Sequence, residues 1–168
     1  MQMPLERLLG FPAPIAISVD WISIEEELGS KLPDDYKAFV SRYGAGAIDS
    51  FLTILTPAGP TKWADLVWRS QEHDEFSQRR KQHPPFDAFP APGGLLAFGQ
   101  TDNGDVLYWR TNGAPEQWTV LVYEGRGFEY FEFPGSMTSF LEKILSRTLR
   151  VNVFPDDFPS DAPWFAPH

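Results

Sequence analysis

The side chains of this chain that could do chemistry are carboxylates and three histidines, and cysteine is absent. Without thiols there can be no disulfide, no Cys-ligated metal and no cysteine nucleophile. His73, His83 and His168 do not pair at the spacing that sets two ligands on one face of a helix or strand. His73 stands beside Asp74 and Glu75 in a polar run that reads as the solvated face of a helix. Asp102-Asn-Gly-Asp105 opens like a calcium loop, but the later ligands and the distal Glu are missing, and a turn explains it fully. Gly44-Ala-Gly46 follows a helical pattern and precedes no Gly-Lys-Ser/Thr, so it is not a phosphate cradle. No Gly-x-Ser-x-Gly elbow occurs. Paired carboxylates abound, but acid–base work needs two of them in one dry pocket, which spacing does not specify. The expectation is a protein with no catalytic residue, no metal and no cofactor.

Charge narrows the classes of partner. Against 14 basic residues stand 23 acidic ones, for a formal net charge of −9. Phosphate binding is dominated by Lys and Arg, which argues against nucleic acid as a direct ligand and against an anionic membrane surface. A basic protein partner is permitted, because opposite charge speeds encounter. Acidity also serves solubility alone. The 168 residues suit one domain spanning 1–168, and an aromatic share of 15% supplies both core and binding surface. The first apolar run is short and broken by Glu6 and Arg7, unlike a signal peptide. No apolar stretch approaches the roughly 20 residues that span a bilayer. The chain is expected to be cytoplasmic, as a monomer or weak dimer.

Two short helices must come first. Residues 1–19 are a lead-in, with Ile15–Val19 a short strand or extended arm. Asp20 can cap a helix, and Ser23 with Glu26 offers a competing capping-box start. Trp21, Ile24 and Leu28 share one face, Glu25 to Glu27 lie on or beside the wet side, and Gly29 ends the helix. Pro33 then suits the first turn of a second helix, and Asp34 and Asp35 complement its positive end. Tyr36, Phe39, Val40 and Tyr43 form its apolar stripe before Gly44 closes it. Phe51–Leu55 reads as a strand.

Thr61 can cap a long helix to about Gln82, with Trp63, Leu66, Val67 and Ser70 on one face. The proline-rich stretch 83–94 is a loop. Leu95–Arg110 is a hairpin, with Asn103-Gly104 predicting a type I′ turn. Trp118–Tyr123 and Gly127–Phe133 extend the meander to four strands. Ser136 or Thr138 caps a last helix through about Leu149. Trp63, Trp68, Trp109 and Trp118 are expected in the core. The acidic tail 150–168, rich in Pro and aromatics, is neither helix nor central strand. Its Trp164-Phe165 pair either folds back or docks on another protein; the cost of exposing both rings favours folding back.

In combination, these residues resemble the SUKH superfamily over about residues 20–149. The most specific part is Trp21, Ile24, Glu25, Leu28 and Gly29, then Leu32-Pro33, Asp35-Tyr36, Phe39, Tyr43 and Gly44. Ile48-Asp49, Leu96-Ala-Phe-Gly, Gly104-Asp105 before Val106-Leu-Tyr-Trp, and Ser139-Phe140-Leu141 follow in the expected order. The resemblance implies an α+β fold, with a curved antiparallel sheet of about five or six strands backed by helices. It implies structural roles for Trp21, Gly29, Leu32, Pro33, Tyr36, Phe39, Gly44 and Gly104, and no catalytic residues. It implies a non-enzymatic binding domain, an immunity protein that neutralises a cognate nuclease or deaminase toxin by direct binding. The alternative is an interaction scaffold of the same fold. The proline-rich loop 84–92 and the acidic aromatic tail depart from the family pattern. From charge and expected exposure, the candidate contacts for a basic toxin domain are Asp49, Glu72, Asp74, Glu75, Asp102, Asp105, Asp156, Asp157 and Trp164.

Overall fold

The structure, a computed structural model, describes residues 4–10, 18–71 and 86–168. The helices are α1 (Pro4–Leu9), α2 (Trp21–Leu28), α3 (Asp34–Tyr43), α4 (Leu66–Ser70) and α5 (Met137–Leu145). The strands are β1 (Gly46–Ile48), β2 (Leu52–Ile54), β3 (Leu95–Thr101), β4 (Val106–Arg110), β5 (Thr119–Tyr123), β6 (Tyr130–Phe133) and β7 (Phe165–Pro167). All pairings are antiparallel, in the order β6-β5-β4-β3-β2-β1-β7, and the sheet is curved and open. The α+β architecture is therefore as expected, with two more short strands than the pattern revealed. β1 and β7 hold three residues each, too few for alternation to register.

Local signals decide where the first helices start and stop. Asp20 caps α2: its carboxylate accepts from the Ser23 N–H at 3.2 Å and the Ser23 hydroxyl at 2.7 Å. Those bonds, the hydroxyl first, hold the Asp20 carboxyl below its ordinary value. Gly29 adopts φ 80°, where a Cβ would be strained, and closes the helix onto the Glu25 carbonyl. Pro33 sits just before α3, at the capping position. The stripe Tyr36, Phe39, Val40 and Tyr43 is buried throughout. Asp35 reaches across the fold: its carboxylate accepts from the backbone N–H and hydroxyl of Thr138, at 3.0 and 2.9 Å. It thereby pins the start of α5 to the start of α3 and complements the positive end of both.

Both faces of the central strands are covered, so β3, β4 and β5 read as continuous apolar runs. On one face Tyr36 meets Trp109 edge-on at 5.0 Å, and Phe133 packs on Phe140 of α5 at 5.5 Å. On the other, Arg69 of α4 donates to the Gln100 side chain, and the Phe86 ring faces Tyr123.

Several expectations are corrected. The lead-in contains α1, whose Leu5 and Leu9 are buried and whose Glu6 is held by Arg42 at 2.6 Å. A six-residue helix is too short to show a period. Ile15–Ala16–Ile17 of the supposed arm lie outside the described residues. The long helix does not begin at Thr61. That residue precedes a 3₁₀ turn at Lys62–Ala64, and Asp65 caps α4 by accepting from the Trp68 N–H at 3.0 Å. Its supposed second half, 72–82, also lies outside the described residues. Trp63 is 46% exposed rather than core; it meets Trp68 edge-on, with the Lys62 ammonium 5.0 Å from its ring. The Asn103-Gly104 turn is not type I′. Gly104 has φ 87° but Asn103 is not left-handed, and Gly104 N–H bonds the Thr101 carbonyl. That is a type I turn followed by a left-handed glycine, closed by a bond from the Thr101 N–H to the Asp105 carbonyl.

The tail forms the seventh strand. Phe165 packs between Phe39 and Tyr43, at 6.0 and 5.1 Å between centroids. Gly46 makes room for it: a Cβ there would fall on the Ala166 carbonyl and lie 2.6 Å from the Phe165 ring. Gly46→Ala is therefore expected to cost about 1–3 kcal/mol, as overpacking does, and to lift β7 from β1. Amide exchange at Ala166 and His168, whose N–H bonds the Ala45 carbonyl, checks this; unchanged protection would show that the strand adjusts without loss.

Candidate protein-binding surface

Antiparallel topology brings three turns to one end of the sheet: Asp49–Phe51 between β1 and β2, Asp102–Asp105 between β3 and β4, and Glu124–Glu129 between β5 and β6. Side chains and backbone join them. The Asp102 N–H donates to the Phe51 carbonyl at 3.1 Å. Asp105 links the next two turns: its carboxylate accepts from the Thr101 hydroxyl at 2.8 Å and the Gly125 N–H at 3.0 Å. Gly125 is pressed against the Gly104 carbonyl, closer than a side chain would allow.

The tail crosses this end. Asp49, in the left-handed region at φ 52°, accepts from Ser160 N–H at 2.7 Å, Ser160 hydroxyl at 3.0 Å and Trp164 N–H at 3.1 Å. Its own N–H donates to the Trp164 carbonyl at 2.9 Å. Phe51 meets Phe158 at 4.8 Å and Phe154 at 6.4 Å. Arg147 holds the Pro159 carbonyl and Asp161, and Arg150 pairs with Asp156.

The candidate contacts are thus placed unevenly. Asp49, Asp102, Asp105 and Trp164 share the turn end with the tail. Asp102, Asp156, Asp157 and Trp164 are exposed, Trp164 at 49%. Asp105, expected at the surface, is only 3% exposed: one oxygen is bonded to Thr101 within its own turn and the other to Gly125 of the next. Asp49 is half-buried and serves as a latch for the tail. Glu72, Asp74 and Glu75 lie outside the described residues. Of the Trp164-Phe165 pair, only Phe165 folds inward.

Sequence reasoning missed Glu25 as an inward-facing group. Its carboxylate is buried, accepts from the Leu32 N–H at 2.9 Å and pairs with Lys37 and, at 3.3 Å, Lys31. Burial pushes its carboxyl up, but bonds from Lys37, Leu32 and Lys31 outweigh this and hold it below the usual value. The missed signal was Lys37, one turn into α3 and opposite in charge. Burial also pushes the Tyr43 hydroxyl up to about 12, with the Glu6 carboxylate adding to it.

Among the described residues, no group of three or more His, Asp or Glu side chains could hold a metal ion, and no helix is long and apolar enough to cross a membrane.

Asp49→Asn keeps the left-handed backbone accessible but removes the charge and one acceptor. It is expected to cost about 1.5–3 kcal/mol, the range for hydrogen bonds to a charged group. Limited proteolysis between 152 and 164 should accelerate; a tail as resistant as before would count against the latch.

A curved antiparallel sheet backed by helices, with linked turns at one end, defines an α+β domain. A family profile described as SMI1-KNR4 cell-wall matches residues 19–141, and the chain belongs to that family. Domains of this kind are generally protein-interaction modules. No curated protein matches the chain, and no solved structure does either.

Proposed function

We propose that this chain is a non-enzymatic binding domain that acts as an immunity protein, neutralising a nuclease or deaminase toxin by direct contact with a basic surface. The observation that carries this is the turn end, where Asp102, Asp157 and Trp164 stand exposed on a scaffold locked by Asp49 and Asp105. A rigid acidic rim with an aromatic anchor suits a basic cleft that otherwise takes nucleic acid, and the net charge of −9 supports long-range attraction to it. Family membership supports a protein partner. The family's description as cell-wall favours a second reading, an interaction scaffold without a toxin.

The test uses the purified chain as bait in lysate of its own host, at low and then high salt. A small basic domain that elutes with salt, and whose toxicity is suppressed by co-expression of this chain, is the expected result. Retention of a housekeeping protein at all salt concentrations would favour the scaffold and remove the toxin.

A further inference from the structure

The two edges of the sheet are treated differently. At one, β7 of the chain's own tail covers β1, with Gly46 shaped to receive it. At the other, β6 pairs with β5 on one side and, among the described residues, with no strand on its other side. Such an edge offers a row of backbone N–H and C=O groups to any extended segment. Tyr130–Phe133 contains no Pro, no Lys and no bulge, and Glu132 is its one charged side chain.

The surroundings of β6 specify what would be accepted. Phe128 is 52% exposed and Tyr130 46% exposed, so large rings stand beside open backbone. Phe86 meets Tyr130 edge-on at 5.2 Å and holds that ring in place. From Glu124 to Phe133, along the last turn and the edge strand itself, three carboxylates (Glu124, Glu129, Glu132) outnumber one guanidinium group (Arg126). Arg110 is engaged by Glu132 at 2.6 Å. The edge is also fixed in advance. The Asp105 carboxylate holds Gly125, and Glu124 N–H bonds the Glu129 carbonyl at 2.9 Å, so little ordering remains to be done on this side.

We propose that β6 is a docking edge that takes an extended basic segment of the partner protein as an eighth strand. Main-chain bonds would supply affinity, and Lys or Arg side chains over Glu132 and the Tyr130 ring, which share one face of the strand, would supply selectivity, with Glu129 adding negative charge near the start of the strand. A second copy of this chain is a poorer occupant, because two β6 strands side by side bring the Glu129 and Glu132 carboxylates of both copies together. The proposal rests on the reading of a basic protein partner given above and adds where that partner docks.

The probes are a synthetic decapeptide alternating Lys with Val, its Glu-for-Lys counterpart, and the Lys peptide N-methylated along one edge. Each is titrated into the full chain and followed by amide hydrogen exchange and NMR shifts. The Lys peptide is expected to slow exchange within 130–133, and the Glu and N-methylated peptides are not. The variant carrying Glu129→Lys and Glu132→Gln should bind it roughly tenfold more weakly, as loss of charge complementarity implies. Glu129→Lys alone guards against loss of the Arg110 pair. Equal binding by the N-methylated peptide, or shifts confined to Asp49, Asp102 and Trp164, would overturn strand addition. In lysate, undiminished capture of a basic partner by the variant would overturn the docking edge while sparing the immunity reading. Protection of β6 by the Lys peptide with no basic partner in the lysate would do the reverse.

Discussion

Tyr36→Ala is expected to destabilise this domain by about 3–5 kcal/mol, the range for removing a large buried ring. Tyr36 has no exposed surface. Its ring is the hub between helices and sheet: Trp21 of α2 lies 5.9 Å away and Trp109 of β4 5.0 Å away, both edge-on. Trp109 passes the contact on to Phe98 at 4.8 Å and Trp118 at 5.7 Å. Aromatic pairs of this kind stabilise beyond the area they bury. The Tyr36 hydroxyl donates to the Leu55 carbonyl at 2.6 Å, and burial pushes its ionisation well above the ordinary tyrosine value. Tyr36→Phe keeps the rings and should cost about 1–2 kcal/mol, mostly for a buried carbonyl left without its donor. Urea titrations of the three proteins check both figures. A Tyr36→Ala midpoint close to that of the parent would mean that the hub closes over the gap.

Glu25→Ala should cost about 3 kcal/mol, because removing one partner of a buried ion pair strands the rest. The figure sits at the low end of that range because Lys31 is largely exposed and screened by solvent. Lys37 is more enclosed, and the Leu32 N–H loses its acceptor. The pH dependence has a definite sign. The folded carboxyl lies below its ordinary value of 4.5. Its contribution is therefore fully present above about pH 4.5 and is lost as pH falls through the folded value. Glu25→Gln should flatten that acid limb while leaving a milder loss at neutral pH. Stability measured from pH 7 down to pH 3 tests it; parallel curves for parent and variant would remove Glu25 from the acid transition.

This pairing marks where reading the sequence stopped. Glu25 sits among Glu26 and Glu27, and three acids in a row look alike along a helix. Only the approach of α3, which turns Lys37 toward the end of α2, selects the one that goes inside. Asp105 is similar. Its turn was legible from Asn-Gly, but the carboxylate points inward because the β5–β6 turn brings Gly125 N–H to it. Of the candidate acids and the one Trp, Asp102, Asp156, Asp157 and Trp164 face solvent. That Asp49 instead latches the tail depends on its meeting Ser160, 111 residues further along the chain.

By itself the sequence determined α2 and α3, the four-stranded meander, the start of α5 and membership of the SUKH group. Each is written in neighbouring residues: caps at Asp20 and Ser136, the stop at Gly29, stripes of period 3.6, and turn residues between apolar runs. The tertiary structure alone decided which strand ends the sheet among the described residues, that the tail returns as β7, and which carboxylates turn inward. Those outcomes depend on which distant segment arrives beside a group, and burial and pairing are properties of that arrival rather than of the residue.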